Sequence, residues 1–315
     1  MFLGIKAILL AQAIAINQGE VKIISFREDT LFDVSVSGVP RALFDNNPIP
    51  VHERDNERYV IIATSIQKRP GNYLLELIYE DGNIYATLVS IVRRRPNLVP
   101  MGFTSPDTLT CSIRRVAARE GSERRGALLD VLSRASYETP LYADSFAFPL
   151  DPLDPRDLES NFGERRVRER RALRRSSLRS DQLSCRESET ELFRNTRVFS
   201  THYGNDLIAS MRTPVLAAGR GLVVWSRQDS LFSEGRLVVI DHGGGILSLY
   251  LHLDTALAVE GSIVEQGELI GLSGSTGRST VPHVHFAIRL YNGVYVDPTQ
   301  FIIEFRRINN RRRAR

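Results

Sequence analysis

Between Thr213 and Leu290 short apolar stretches alternate with glycine-rich turns, and this pattern limits the fold more than any other feature of the chain. Residues 213–225, 236–241, 246–253, 268–272 and 284–290 have strand character. Gly219-Arg220-Gly221, His242-Gly243-Gly244-Gly245 and Gly274-Ser275-Thr276-Gly277 supply turns between them. Strands this close, joined by such short connections, imply an antiparallel sheet. The βαβ alternation of a parallel sheet and the phosphate-cradling loop of nucleotide-binding folds are both missing from the sequence.

The chain has 315 residues, room for two domains, and its 42% hydrophobic and 25% charged residues predict a packed core. Residues 20–95 also read as β-structure, with strands at 21–26, 32–36, 59–63, 73–79 and 84–92. Pro70-Gly71-Asn72 and Asp81-Gly82-Asn83 have turn chemistry, the second closing a hairpin. This segment is expected to be a small immunoglobulin-like β-sandwich without a catalytic cluster, its one histidine, His52, lying in a polar surface loop. Arg93-Arg94-Arg95-Pro96 marks a boundary. Ala127, Leu128, Val131 and Leu132 then fall at helical spacing within 120–135, so residues 96–145 are expected to form a helical connector. The second β domain is expected over 146–305, with an arginine-rich insertion at 164–200 and a basic tail at 306–315. The fold class expected is mainly β.

The first 15 residues have the form of an export signal. One cation, Lys6, precedes an apolar run over 7–16, and Ala11-Gln12-Ala13 and Ala13-Ile14-Ala15 are small-x-small cleavage sites. The competing reading is a buried first strand or helix. The run is too short to cross a bilayer as a helix. The expected location is therefore the periplasm or cell envelope. The two cysteines, Cys111 and Cys185, are either a disulfide or two thiols, and both lie far in sequence from the histidines.

Five of six histidines fall between His202 and His285. His283 and His285, two apart in a strand, project to one face, with Val284 and Phe286 on the other. By the same alternation Ser248, Tyr250 and His252 share a face opposite Leu247, Leu249, Leu251 and Leu253, so His252 can line a groove. His202-Tyr203-Gly204-Asn205-Asp206 brings an imidazole and a carboxylate together around a glycine. Two imidazoles and one carboxylate make a three-ligand zinc site with a fourth position open, the catalytic arrangement, whereas a structural site is closed by four protein ligands.

These residues also resemble a known family. His202-Tyr-Gly-Asn-Asp206, Asp241-His242-Gly243, Tyr250-Leu-His252-Leu, the run from Gly271 to Thr280, and Pro282-His-Val-His-Phe286 are similar to the lysostaphin-type, or LytM-like, peptidoglycan endopeptidases. The likeness runs in order from His202 to Pro298, and Phe162-Gly163 matches an upstream element. It implies a small antiparallel LytM-like peptidase domain with a narrow groove over one zinc ion per chain. It puts the ligands on His202, Asp206 and His285, and the two non-ligand active-site histidines on His252 and His283. Val281, Ser210 and Arg212 depart from the family's usual glycine, proline and glycine. The tyrosine that some members use upstream has no counterpart between Glu164 and Thr201.

The chemistry implied is amide hydrolysis of peptidoglycan peptide cross-links, with His283 or His252 taking the proton. The cluster offers one carboxylate, whereas a glycosidase needs a pair. An alternative reading is a non-catalytic regulator or binding partner of wall hydrolases with the same fold. Such relatives typically lose metal ligands, and this sequence keeps all three. The arginine runs are broken by glutamates and lack interleaved aromatics, which argues against nucleic acid and suits a solvated face or an anionic wall or membrane surface. The insertion 164–200 reads either as a flap at the groove or as a solvated loop, and an exported wall enzyme is also open to a regulatory protein partner.

Overall fold

The structure is a computed structural model that describes residues 7–9, 13–27, 39–54, 57–103, 123, 126–134, 140–142, 145–151, 161–170, 196–231 and 233–313. Cys111, Cys185, the expected strand 32–36 and most of the arginine-rich insertion lie outside them. The chain divides into two compact units: residues 1–94, 131–162 and 203–315 form the first, and residues 95–130 and 163–202 the second.

Among the described residues, the N-terminal part of the first unit holds nine strands: β1 Ala7–Leu9, β2 Ile14–Asn17, β3 Val21–Arg27, β4 Arg41–Phe44, β5 Asn47–Ile49, β6 Val51–Arg54, β7 Glu57–Ala63, β8 Gly71–Ile78 and β9 Ile84–Val92. One sheet runs β1-β9-β8-β4-β5, with β2 also on β9, and the other runs β3-β7-β6. Of the residues expected as an export signal, 7–9 and 14–15 stand in strands, β1 and β2 pairing parallel to β9. The hairpin β4–β5 turns through Asp45 and Asn46, whose φ of 51° and 61° fit the primed two-residue turn that Asn and Asp tolerate. His52 corrects the sequence reading. It sits in β6, 2% exposed, its ring stacked on Tyr59 at 4.9 Å. Pro48 lies in β5, an edge strand that does not need its missing N–H.

The second unit carries β10 Leu98–Phe103, β11 Arg165–Arg170 and β12 Thr196–Thr201 in one sheet, β10 parallel and β12 antiparallel to β11. The two ends of the arginine-rich insertion are thus a pair of strands, not a simple loop. Residues 126–133 are helical, with Leu128 and Leu132 buried.

The C-terminal part of the first unit is built on β13 Asn205–Ile208, β14 Pro214–Leu216, β15 Gly221–Leu231, β16 Gly235–Asp241, β17 Leu247–Leu253, β18 Thr255–Ala256, β19 Ile263–Val264, β20 Leu269–Leu272, β21 His283–Leu290 and β22 Val294–Val296. The main sheet runs β13-β21-β17-β16-β15-β19 with β22 on β21, and all of its pairs are antiparallel. The mainly β, antiparallel expectation holds.

Helix α1, Pro298–Arg313, follows, so the residues read as a basic tail from 306 continue a helix. Asp297-Pro298 is its start: Asp297 Oδ1 accepts the amides of Thr299 (3.1 Å) and Gln300 (3.4 Å), and proline occupies the first helical position. Phe301, Ile302 and Phe305 face inward. They join a core cluster shared with Ile23, Val60 and Ile62 of the N-terminal strands. Among the described residues no helix is long and apolar enough to cross a membrane.

Candidate metal centre

The site forms where β13 lies against β21. Asp206 stands directly opposite His285, and Ile208 opposite His283. Because antiparallel partners point to the same face, Asp206, His283 and His285 converge. Asp206 Oδ1 is 2.8 Å from His285 Nδ1 and 3.5 Å from His283 Nε2. Gly204 permits this approach, since a Cβ there would lie 2.5 Å from His285 Nε2 and 2.6 Å from the Phe286 carbonyl oxygen. His202 is 5% exposed, and its backbone exchanges hydrogen bonds with Gly163 (2.8 Å) and Glu164 (3.0 Å).

One ligand atom each from His202, Asp206 and His285 lies within 4.8 Å of the others, and among the described residues no second such group occurs. Tetrahedral zinc with bonds of about 2.0–2.2 Å spaces its ligands roughly 3.4 Å apart. The donor set and its span therefore fit one ion with a coordination position left over.

His252 reaches the site by a route that alternation hides. On β17, Tyr250 pairs with Phe286 and Leu251 with His285. Strict alternation would place His252 with Tyr250, on the face turned away from His285. The register of β17 against β16 slips here, Leu251 and His252 together facing Leu237, and His252 has a φ of 64°. This bulge re-aims the side chain. The His252 ring centroid comes to 4.8 Å from His283 and 5.9 Å from His285. Ser248 and Tyr250, expected on a polar groove face, are fully buried instead.

The loop at 274–277 orients both non-ligand histidines. His252 Nδ1–H donates to the Thr276 carbonyl at 2.9 Å, which makes Nε2 the unprotonated nitrogen. His283 Nδ1–H donates to the Val281 carbonyl at 2.8 Å, and the backbone of His283 bridges Gly274. Burial, and after it the neighbouring His283 and His285, together lower the pKa of His252 to about 4, against the hydrogen bond to Thr276 and the charge of Asp206. His242 stays outside the site. It is fully buried, its Nδ1 bonded to the Arg220 carbonyl (2.9 Å) and its Nε2 to Ser248 Oγ (2.7 Å).

Residues 200–298 match the family model described as peptidase family M23. The matched segment contains His202, Asp206, His252, His283 and His285. The chain is 34% identical over 172 residues to the peptidoglycan DD-endopeptidase ShyC of Vibrio cholerae, across 55% of this chain and 33% of that protein. It is 41% identical over 93 residues to the peptidoglycan DD-endopeptidase ShyA of the same organism, across 30% of this chain and 21% of that one. The chain thus spans a third or less of the length of these curated relatives. A crystal structure from Pseudomonas aeruginosa, described as a candidate M23 peptidase, aligns over 94% of this chain and 97% of its own with a TM-score of 0.56. At 20% identity that likeness is one of fold.

All five residues singled out in the sequence, His202, Asp206, His252, His283 and His285, come together. Sequence reasoning missed Asn161, whose Oδ1 accepts the Asp206 amide at 3.0 Å. Its one signal was adjacency to Phe162-Gly163.

Proposed function

We propose that this chain is a zinc-dependent endopeptidase that hydrolyses the peptide cross-links of bacterial cell-wall peptidoglycan. The observation that carries the reading is the convergence of a His-Asp-His donor set with two further imidazoles beside it. The relatives named peptidoglycan DD-endopeptidases support the substrate class. His202, Asp206 and His285 would hold one zinc ion, which when bound lowers the pKa of a water toward about 7 and polarises a carbonyl. His252 and His283 handle the proton: the Nε2 of His252 is set to accept it, and its return to the departing amine completes amide cleavage. The neutral tautomer of His252 is held by a backbone carbonyl, so its orientation does not depend on a side chain that could move.

Such a substrate lies outside the cytoplasm. Cleavage of an export signal after Ala15 would leave Ile16, a buried residue, at the start of the mature chain. Arginine clusters, including Arg306 and Arg307 on the exposed side of α1, suit association with anionic envelope polymers.

The test is metal analysis combined with digestion of purified peptidoglycan, its products identified by mass. About one zinc per chain, new free amines and carboxyls at peptide bonds, loss of both on strong chelation and recovery with zinc are expected. Full hydrolysis by a metal-free sample would overturn the reading. N-terminal sequencing of the exported protein tests its location.

A further inference from the structure

We propose that Asn161 is a positioning residue for the metal-binding carboxylate of Asp206, a role that rests on reading His202, Asp206 and His285 as the metal centre. β13 ends the main sheet and pairs with β21 alone in the strand order. A ligand on a terminal strand has a neighbouring strand on one side only, so something else must hold its peptide from the other. Asp206 sits opposite His285, yet its amide does not join the β21 ladder. It points outward and donates to Asn161 Oδ1 at 3.0 Å.

Asn161 is itself tied down. Its own N–H donates to Asn205 Oδ1 at 3.2 Å, so the two asparagines bracket the Asn205–Asp206 peptide. Asn205, 1% exposed, donates through Nδ2 to Thr299 Oγ1 at 3.2 Å, and the Thr299 amide donates to Asp297 Oδ1 at 3.1 Å. Asp297, also 1% exposed, has its other oxygen 3.1 Å from Arg94 Nη1. The next residue locks the segment in place. Phe162 is 2% exposed, lies under Arg94 at 5.7 Å, and packs so close to Gly19 that a Cβ there would fall 2.5 Å from its ring. A chain of buried and half-buried hydrogen bonds therefore runs from the ligand's peptide to the start of α1 and to Arg94. Outer partners of this kind set a ligand's orientation, and their removal typically weakens metal binding about 10- to 100-fold.

The test uses the full chain and zinc itself. Zinc affinity is measured by competition with a chromophoric chelator, ligand geometry by the visible absorption of the Co²⁺ form, and fold by melting of the metal-free protein. Asn161→Ala is expected to weaken zinc binding by about 10- to 100-fold and alter the Co²⁺ spectrum, with the metal-free melting temperature nearly unchanged. Asn161→Asp, which keeps an acceptor oxygen in place, is expected to restore most of the affinity and the spectrum. Wild-type affinity and spectrum in Asn161→Ala would overturn the proposal. So would a loss of affinity matched by collapse of the metal-free fold and not restored by Asn161→Asp. Asp206→Ala is the control: metal uptake indifferent to it would overturn the metal centre, and is recognised before Asn161 is altered.

Discussion

Asp206 brings charge to the centre, while His252 and His283 bring nitrogen atoms beside it, and substitution separates the two contributions. Asp206→Ala is expected to lose both zinc and hydrolysis, because it removes a donor that no neighbour replaces. His252→Ala and His283→Ala are expected to keep most of the zinc and lose hydrolysis by a factor on the order of 100 or more. Zinc content and turnover measured on the same samples check this, and loss of metal in either histidine variant as complete as in Asp206→Ala would contradict it. Gly204→Ala is a subtler case. Its new methyl would meet His285 Nε2 and the Phe286 carbonyl, so either the strand or the imidazole must yield. A cost of about 1–3 kcal/mol in unfolding free energy and weakened zinc retention are expected, read by denaturant midpoints and metal titration. At this scale the sequence was informative about which residues matter. His283 and His285 were placed on one face by spacing alone, and the structure agrees. His252 was placed on the Tyr250 face, and reaches His283 because of a left-handed backbone that its residue type does not announce. His52 was read as exposed because its neighbours are polar and proline-rich, whereas its ring fills the space against Tyr59 that Gly244 leaves open.

Strands bounded by glycine turns were legible almost to the residue, as in β9 and β21, because period-two alternation and turn chemistry agree there. Helix α1 was not. Its arginines over 306–313 masked the apolar Phe301, Ile302 and Phe305, and Asp297-Pro298 serves equally well as a turn or as a helix cap. The Asp45-Asn46 hairpin was passed over for want of a glycine, although Asn and Asp are the residue types that accept positive φ. The insertion between β11 and β12 presents the same difficulty. Charge density suggested a loop, and its ends pair over six residues from Arg165↔Thr201 to Arg170↔Thr196. Replacing residues 171–195 with a short glycine–serine linker therefore spares both strands, unlike a cut at Arg165. If the segment governs access to the groove, the hydrolysis rate of the shortened chain changes at unchanged zinc content. An unaltered rate leaves the segment without a part in catalysis.

Over the whole molecule, two buried histidines make stability depend on pH. Burial holds both His52 and His242 at pKa values of about 4, below the ordinary 6.5. The unfolded chain thus binds more protons than the folded chain between these values. The stabilisation is complete above about pH 6.5 and is lost progressively as pH falls toward 4, on the order of 3 kcal/mol for each group. Denaturant midpoints at pH 7.5 and pH 5 should differ accordingly, and His52→Gln should narrow the difference. An unchanged gap would show that His52 does not titrate as its burial requires. The strands around His52 and the M23 segment are also joined in another way. Asp297 donates its amide to Gly19, Tyr291 OH bonds the Ile61 carbonyl, Lys22 pairs with Glu304 at 3.4 Å, and α1 rests on the β3 side of the core. The match to the family ends at Pro298, at the first residue of that helix. The recognisable segment therefore stops short of the helix that packs on the same core. A gene fusion or exchange cut at residues 200 and 298 would transplant His202, Asp206, His252, His283 and His285 while leaving behind the scaffold of β3, β7 and nearly all of α1. In such a transplant Val284, Phe286 and Ile288 would lose Phe301, Ile302 and Phe305 from the core they share here.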